Sequence, residues 1–227
     1  MSSLALIVPM YNPHNDWFDA VCDLITFLDS NLKNIEYSVV IVNDGSTNFD
    51  ELYIEKIKKR TNKIIYFSYP KNQGKGYAIR YGLSKIKADY YIYSDIDFPF
   101  GYEVIKNMYQ IFNNTSNSLI IGLRGNDYFN LLPIKRKIIS LVLININFVL
   151  TGFKIHDTQA GIKGFDKVAK DILLATKTNE FLFDFEFIHI CLRKKINYIS
   201  IHRHIEHLYS IIYFNFIRNT ILHVVER

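Results

Sequence analysis

The stretch YYIYSDID, residues 90–97, joins an apolar, β-rich run to two aspartates that follow it directly. Two earlier runs, at residues 4–8 and 38–42, are also apolar and are also followed by polar residues. Between them, apolar side chains recur at helical spacing over residues 17–28. This alternation of short strands and helices predicts an α/β fold with a mostly parallel central sheet flanked by helices.

The remaining elements follow from the same two periodicities. Strands are predicted at residues 4–8, 38–42, 63–68, 90–93, 119–123 and 198–201. Helices are predicted at residues 17–28, 50–60, 78–86, from 102, near 131–150, at 184–195 and at 209–225. Pro9 is expected to end the first strand. No internal repeat or low-complexity linker divides the chain, so we expect a single unit.

The composition excludes several classes of protein. Of the 227 residues, 49% are hydrophobic and 22% are charged, which is typical of a globular chain. The net charge is only +5, from 27 basic and 22 acidic residues, and the basic residues are scattered. Nucleic-acid binding needs a concentrated basic face, so we expect no nucleic-acid partner. Anionic phosphates and a negatively charged membrane surface are compatible with this charge.

Features that report on localisation point to the cytoplasm. Cys22 and Cys191 lie far apart within apolar patterns, which indicates reduced thiols in a reducing compartment. The N-terminus lacks the basic region of a signal peptide. The longest apolar stretch, residues 138–150, is too short to span a bilayer. We therefore expect a cytoplasmic protein, with at most peripheral contact at the cytoplasmic face of the membrane.

Polar residues follow each of the early strands. In open α/β sheets, ligands bind beyond the carboxyl ends of the strands. The polar groups therefore gather at one edge, at residues 9–12, 43–47, 72–76, 95–97 and 124. This edge is where a binding site is expected.

The two aspartates of the opening stretch suggest a cation site. Residues two apart in an extended chain point the same way, so Asp95 and Asp97 can face one ligand. Their carboxylates repel each other unless a cation compensates, and Mg²⁺ or Mn²⁺ suits such oxygens together with a diphosphate. The alternative is that both aspartates only form the turn after the strand.

Two further segments allow a structural and a functional interpretation. Residues 43–47 can form an Asx-type turn that caps the next helix, or Asp44 can accept hydrogen bonds from a nucleobase or ribose. The segment Gly74-Lys75-Gly76 lacks the spacing of a nucleotide-hydrolysing P-loop. A lysine on such a flexible glycine loop can still meet a phosphate as a point charge.

Taken in order, these segments resemble a known family. VPMYN (8–12), VNDGST (42–47), NQGKGYA (72–78) and SDID (94–97) are similar in order and spacing to family-2 glycosyltransferases with the GT-A fold. DTQAGIKGF (157–165) and FDFE (183–186) resemble the branch of polyprenyl-phosphate and dolichyl-phosphate glucosyl- and mannosyltransferases. The resemblance covers residues 4–200.

The resemblance implies that the donor and the acceptor are bound by different parts of the chain. It implies a single GT-A domain at residues 1–208, with a nucleotide-sugar half at 1–123 and an acceptor half at 124–208, followed by an amphipathic helix at 209–227. Donor residues would be Pro9, Tyr11, Asp44, Lys75 and Asp95, and Asp95 with Asp97 would hold the metal on the donor diphosphate. Phe98 stands where some lipid-phosphate mannosyltransferases carry a further ligand, which leaves the third ligand open.

Which residues the reaction needs besides the donor site depends on the chemical nature of the acceptor. A hydroxyl acceptor needs a general base, and Asp184 occupies the position where relatives acting on hydroxyls place theirs. Asp184 is otherwise an N-cap of its helix. A phosphate acceptor is already anionic and needs only cations. The residues expected on the acceptor or phosphate side are Arg124, Lys135, Arg136, Asp157, Gln159 and Lys163.

The leading hypothesis is an inverting, metal-dependent transfer of a hexose from a UDP- or GDP-linked sugar to a polyprenyl phosphate. One alternative keeps the donor and uses a sugar hydroxyl of a cell-surface polymer as the acceptor. The other alternative is a nucleotide-sugar binding module without catalysis. With a lipid acceptor, the amphipathic helix at 209–227 would be the segment that meets the membrane surface.

Overall fold

The computed structural model describes residues 2–123, 160–180 and 182–202. Within these ranges the chain forms seven strands and six helices, numbered in chain order. The strands are β1 Leu4–Met10, β2 Tyr37–Asp44, β3 Ile64–Tyr69, β4 Tyr90–Ser94, β5 Leu119–Leu123, β6 Ile162–Asp166 and β7 Tyr198–His202. The helices are α1 Trp17–Asn31, α2 Leu52–Lys58, α3 Lys75–Lys85, α4 Tyr102–Asn114, α5 Lys167–Leu174 and α6 Phe183–Arg193. The helices predicted near 131–150 and at 209–227 lie outside the described residues.

The strands form one sheet in the order β3-β2-β1-β4-β6-β5-β7. The first four are mutually parallel, so their carboxyl ends lie at the same edge. β6 runs antiparallel to its neighbours β4 and β5, and β5 pairs in parallel with β7. The predicted α/β fold is confirmed, and each predicted strand is present with bounds that agree within two residues.

Helices cover both faces of the sheet, and the side chains of β1 explain why. Successive residues of a strand point to opposite faces. Leu4, Leu6 and Val8 pack into the core formed with α1, α2 and α4. Ala5 and Ile7 pack into a second core, formed with α3, α5 and α6. Because both faces are buried, β1 is apolar throughout instead of alternating with polar residues.

β1 continues through Pro9 to Met10, two residues beyond its predicted end. Both residues pair with β2, opposite Val42 and Asn43. On its other side β1 is paired with β4 only as far as Ile7. The end of β1 is therefore open on one side, where a proline is tolerated. The prediction that Pro9 ends the strand is wrong for this reason.

The predicted acceptor-side loop at 157–165 ends earlier than expected, because residues from Ile162 onward form β6. Its glycines indicated a turn, but Gly164 lies in the strand at a point of close packing. A Cβ at this position would lie 2.9 Å from Cε2 of Phe112 and 3.3 Å from the sulfur of Met108. Glycine is used here because α4 packs directly onto the backbone of β6.

No helix within the described ranges is long and apolar enough to cross a bilayer. Both cysteines are free thiols, with Cys191 buried and Cys22 half-buried.

The close contact at Gly164 leads to a prediction about stability. Gly164→Ala should lower the free energy of unfolding by about 1–3 kcal/mol, because the added methyl group overlaps a buried ring. Denaturant unfolding followed by circular dichroism measures this loss. In a Phe112→Leu background the same substitution should cost less, since the ring edge is gone. An equal cost in both backgrounds would show that the overlap is not the cause.

Candidate active site

A cavity of about 430 Å³ opens at the carboxyl edge of the sheet. It lies between the segments that follow β1, β2, β3 and β4. Its lining includes five residues predicted from the sequence to bind the donor: Pro9, Tyr11, Asp44, Lys75 and Asp95. The strand topology thus brings together side chains that are up to 86 positions apart, counting from 9 to 95.

Asp44, at the end of β2, is almost fully buried and fixes one wall of the cavity. Its carboxylate accepts hydrogen bonds from the backbone N–H groups of Gln73, at 2.7 Å, and Gly74, at 3.0 Å. It also accepts one from the Asn72 amide at 3.0 Å. Gly74 has φ +94°, and a Cβ there would lie 2.7 Å from the carbonyl oxygen of Asn179. Asp44 and Gly74 together set the path of the loop between β3 and α3.

The loop after β2 forms the predicted Asx-type turn. The Asn43 side-chain oxygen accepts a hydrogen bond from the N–H of Ser46 at 3.0 Å. This turn does not cap a helix, because α2 begins six residues later, at Leu52. Asn12, which sequence reasoning did not single out, binds the same loop by accepting from the N–H of Thr47 at 2.9 Å. The loops after β1 and β2 therefore support each other.

Lys75 lies at the first position of α3 and not on a flexible loop as predicted. In the first turn of the helix, the N–H of Gly76 donates to the carbonyl of Asn179 at 2.7 Å, which joins this turn to the segment before α6. A Cβ on Gly76 would lie 2.7 Å from Cβ of Phe183, so glycine lets α6 pack against this turn. The ammonium of Lys75 forms an ion pair with the carboxylate of Asp95.

Asp95 lies between Lys75 and the peptide of Gly161. Its N–H donates to the carbonyl oxygen of Gly161 at 3.3 Å. A Cβ on Gly161 would lie 2.0 Å from Oδ2 of Asp95, so the carboxylate rests directly on the glycine backbone. Gly161 stands in the segment predicted as a loop, but its contact with β4 could not be inferred without the β4–β6 pairing.

Asp97 is exposed at the turn that follows β4. The turn is closed by the N–H of Phe98, which donates to the carbonyl of Asp95 at 3.0 Å. Phe98 is buried and packs on Tyr102, with ring centroids 5.5 Å apart, so it offers no ligand. Within the described residues, no group of three or more His, Cys, Asp or Glu side chains could hold a metal ion. Residues 96 and 97 form a turn and not the extended chain predicted, so Asp95 lines the cavity whereas Asp97 does not. Both side chains are carboxylates of the hard oxygen type.

Asp184, the predicted base or helix cap, is buried at the start of α6. The residue that caps α6 is Leu182, and its side chain makes no capping hydrogen bond. Oδ1 of Asp184 accepts a hydrogen bond from the hydroxyl of Tyr93 and lies 3.0 Å from Nζ of Lys163. The alternative that Asp184 caps its helix is therefore wrong, because the carboxylate is turned toward the sheet.

Tyr93 is fully buried beside this carboxylate. Burial raises the pKa of its hydroxyl well above the usual value, and the negative charge of Asp184 raises it further. The hydroxyl therefore stays protonated and donates to Asp184.

Lys163 is fully buried in β6, which does not fit the predicted contact with an acceptor phosphate. Its position is opposite Tyr93 in the β4–β6 pair, so its side chain points to the face covered by α6. There its ammonium meets Asp184 and also donates to the carbonyl of Ala160. A lysine held in this way faces the interior and not solvent.

Glu180 also lines the cavity, although no pattern in the sequence marked it. It lies on the segment between α5 and α6, which is held in place at Thr178. Arg80 of α3 donates to the carbonyl of Thr178 at 2.8 Å, and Glu186 of α6 accepts from the N–H of Thr178 at 2.8 Å. The contact of Arg80 joins residues 98 positions apart in sequence, so periodicity could not reveal it.

The other predicted acceptor residues lie outside the described residues and stay predictions: Arg124, Lys135, Arg136, Asp157 and Gln159.

Comparison with solved structures identifies the type of fold. Glucosyl-3-phosphoglycerate synthase from Mycobacterium tuberculosis, in complex with Mn²⁺, UDP and glucosyl-3-phosphoglycerate, aligns with a TM-score of 0.62 at 13% identity. The alignment covers 88% of this chain and 70% of that one. A mannosyltransferase from Pyrobaculum calidifontis, in complex with GDP-Man and Mn²⁺, aligns with a TM-score of 0.59 at 13% identity, covering 88% and 55%. These likenesses confirm the predicted GT-A architecture.

Curated relatives extend the comparison to sequence. Dolichyl-phosphate beta-glucosyltransferase from Saccharomyces cerevisiae is 27% identical over 85% of this chain and 64% of its own length. UDP-N-acetylglucosamine--dolichyl-phosphate N-acetylglucosaminyltransferase from Methanococcus voltae is 27% identical over 74% and 71%. Dolichol-phosphate mannosyltransferase from Pyrococcus furiosus is 25% identical over 78% and 49%. The chain thus spans somewhat less than two thirds of the yeast relative and about half of the Pyrococcus one.

A family model decides the assignment. The model described as glycosyl transferase family 2 matches residues 5–173, which run from the second residue of β1 into α5 and include all the donor residues predicted from the sequence. This agrees with the dolichyl-phosphate relatives and with the structural neighbours. The chain belongs to glycosyl transferase family 2.

Proposed function

We propose that this chain transfers a hexose from a nucleoside-diphosphate sugar to a polyprenyl phosphate, with inversion at the anomeric carbon. The observation that carries the proposal is the cavity of about 430 Å³ in which Pro9, Tyr11, Asp44, Lys75 and Asp95 meet. The relatives from yeast, Methanococcus and Pyrococcus, all named for dolichyl phosphate, support this class of acceptor.

The nucleoside part of the donor would contact the segments after β1 and β2. Tyr11 is 50% exposed at the cavity, so its ring is available to contact a base. Asp44 already accepts three hydrogen bonds from the 72–74 loop. A carboxylate offers about four acceptor positions, so a donor group of the ribose or base can compete with the neighbouring Tyr69 hydroxyl for the fourth. Asp44 would then fix the loop and the nucleoside at once.

The diphosphate would lie near Lys75 and Asp95. Lys75 brings a positive charge to the cavity from the first turn of α3. The carboxylates of Asp95 and Asp97 are ligands that Mg²⁺ and Mn²⁺ prefer, and two of them leave positions for diphosphate oxygens and water. A divalent cation held there would stabilise the negative charge that grows on the leaving nucleoside diphosphate. Mn²⁺ accompanies UDP or GDP-Man in the two structural neighbours described above.

The acceptor would approach from the side of the second half of the chain. A phosphate is already anionic, so cations suffice to position it, and Arg124, Lys135 and Arg136 are the residues we propose for that role. A polyprenyl chain is embedded in a bilayer, so the protein would act at the cytoplasmic face of the membrane. The predicted amphipathic helix at 209–227 is the segment proposed to meet that surface.

The first prediction concerns the reaction itself. Release of nucleoside diphosphate should be measured with UDP- and GDP-linked hexoses, with and without polyprenyl phosphate, and again after addition of a chelator. We expect release with one donor class, dependence on polyprenyl phosphate, and loss in the chelator that excess Mg²⁺ or Mn²⁺ restores. Release that requires a sugar hydroxyl instead would favour polymer synthesis. Donor binding without release by any acceptor would favour a binding module.

The second prediction concerns Asp97. Asp97→Asn removes a charged oxygen ligand but keeps the shape of the turn, so the release rate should fall by roughly 100-fold or more. Asp171→Asn, at an exposed position of α5, is the matched control and should leave the rate unchanged. Full activity of Asp97→Asn would refute the proposed metal role of this residue.

A further inference from the structure

A charged pair lies inside the protein next to the cavity. Lys163 is fully buried and Asp184 is 4% exposed, and their charged atoms are 3.0 Å apart. Replacing such a pair with apolar residues is often neutral or stabilising, so its presence is weak evidence for a contribution to stability. The pair calls for another explanation, and its neighbours provide one.

We propose that Lys163 and Asp184 are positioning residues that set the place of Asp95, and that Asp184 is not the general base of the reaction. This inference rests on the proposed function and deepens it, because a site without a base at this position selects an acceptor that is already anionic. The contacts that carry it lie on both sides of the pair.

On the β6 side, Lys163 fixes the peptide that supports Asp95. Its ammonium donates to the carbonyl of Ala160. The next residue, Gly161, accepts from the N–H of Asp95 at 3.3 Å. The carboxylate of Asp95 lies so close that a Cβ on Gly161 would be 2.0 Å from Oδ2. A shift of Lys163 would therefore move the surface on which Asp95 rests.

On the α6 side, Asp184 follows Phe183, which packs against the turn that carries Lys75. A Cβ on Gly76, in that turn, would lie 2.7 Å from Cβ of Phe183. Nζ of Lys75 lies 6.0 Å from the centre of the Phe183 ring. Lys75 in turn pairs with Asp95. Each support of Asp95 is thus connected to the buried pair through one residue, Gly161 through Ala160 and Lys75 through Phe183.

The surroundings of Asp184 argue against a base. A general base must come within hydrogen-bond reach of the proton that it removes. Oδ1 of Asp184 already faces two donors, the hydroxyl of Tyr93 and the ammonium of Lys163. The side chain is only 6% exposed and, unlike that of Asp44, does not line the cavity, so an acceptor hydroxyl has little access to it.

With a phosphate as the acceptor, the reaction needs no general base. An anionic phosphate oxygen attacks the anomeric carbon and forms the new C–O bond. The bond from that carbon to the donor diphosphate breaks, and its electron pair leaves with the nucleoside diphosphate. No proton has to be removed from the acceptor, so Asp184 can keep its place beside Lys163.

A double-mutant cycle separates positioning from base catalysis. The variants are Lys163→Gln, Asp184→Asn and the double variant Lys163→Gln/Asp184→Asn, in which two uncharged side chains can still share a hydrogen bond. Two quantities are measured: affinity for the nucleoside diphosphate with Mn²⁺ by calorimetry without acceptor, and the release rate with polyprenyl phosphate. Lys167→Met is the control for loss of an ion pair away from the cavity, because it removes an exposed pair with Asp89 at the opposite edge of the sheet.

If the pair positions Asp95, each single variant should lower affinity at least threefold and the rate at least tenfold, and the double variant should recover both to within about threefold of wild type. The control should change neither. If Asp184 is a base, Asp184→Asn and the double variant will be equally inactive with wild-type affinity, which overturns the proposal. Wild-type values in both single variants would also overturn it. Should a single variant fail to fold, the double variant alone still distinguishes recovery from inactivity.

Failure of the proposed function would look different from either outcome. If wild-type protein releases no nucleoside diphosphate with any acceptor, the proposed function is wrong. The affinity arm of the cycle still decides whether the pair positions Asp95, because it needs no acceptor and no turnover.

Discussion

The antiparallel pairing of β4 with β6 is the constraint on which the candidate site depends. It places Lys163 opposite Tyr93 and Ile162 opposite Ser94, so the backbone of Gly161 comes to rest against Asp95. Because side chains alternate between the faces of a strand, Lys163 points to the face where α6 supplies Asp184. A shift of one residue in this register would turn Lys163 to the opposite face and away from Asp184. The register therefore joins the second half of the chain to the end of β4.

Two ion pairs lie near the end of β4, one of them buried and the other partly exposed. The deeper pair, Lys163 and Asp184, is excluded from water, and removing one partner of such a pair typically costs about 3–5 kcal/mol. The shallower pair, Lys75 and Asp95, is about one third exposed on each side and faces the cavity. Exposed pairs contribute little to stability, so the shallow pair can exchange partners when an anionic ligand or a cation arrives. The structure thus has a buried ion pair, Lys163 with Asp184, behind a partly exposed pair, Lys75 with Asp95, that can change partners.

Most of the fold could be predicted from the sequence, because local patterns determine it. The apolar runs marked the strands, and the spacing of Trp17 to Leu28 marked α1. The rule that ligands bind beyond the strand ends was enough to group Pro9, Tyr11, Asp44, Lys75 and Asp95 at one edge, where the cavity lies. What failed depended on distant partners: Pro9 was placed at a strand end, Lys75 on a loop and Lys163 on a ligand-facing loop. Each position was decided by a neighbouring strand or helix that local periodicity does not report. The Tyr93, Lys163 and Asp184 cluster could not be inferred for the same reason.

The cavity at the carboxyl edge is proposed to bind a nucleoside diphosphate through the charged groups at Lys75 and Asp95. Calorimetric titration of UDP and GDP into the protein, with and without Mn²⁺, measures this binding, with Asp95→Asn compared with wild type. We predict that one nucleotide binds, that Mn²⁺ tightens binding, and that Asp95→Asn removes most of the effect of Mn²⁺. Binding of neither nucleotide, or an equal effect of Mn²⁺ in Asp95→Asn, would contradict the claim.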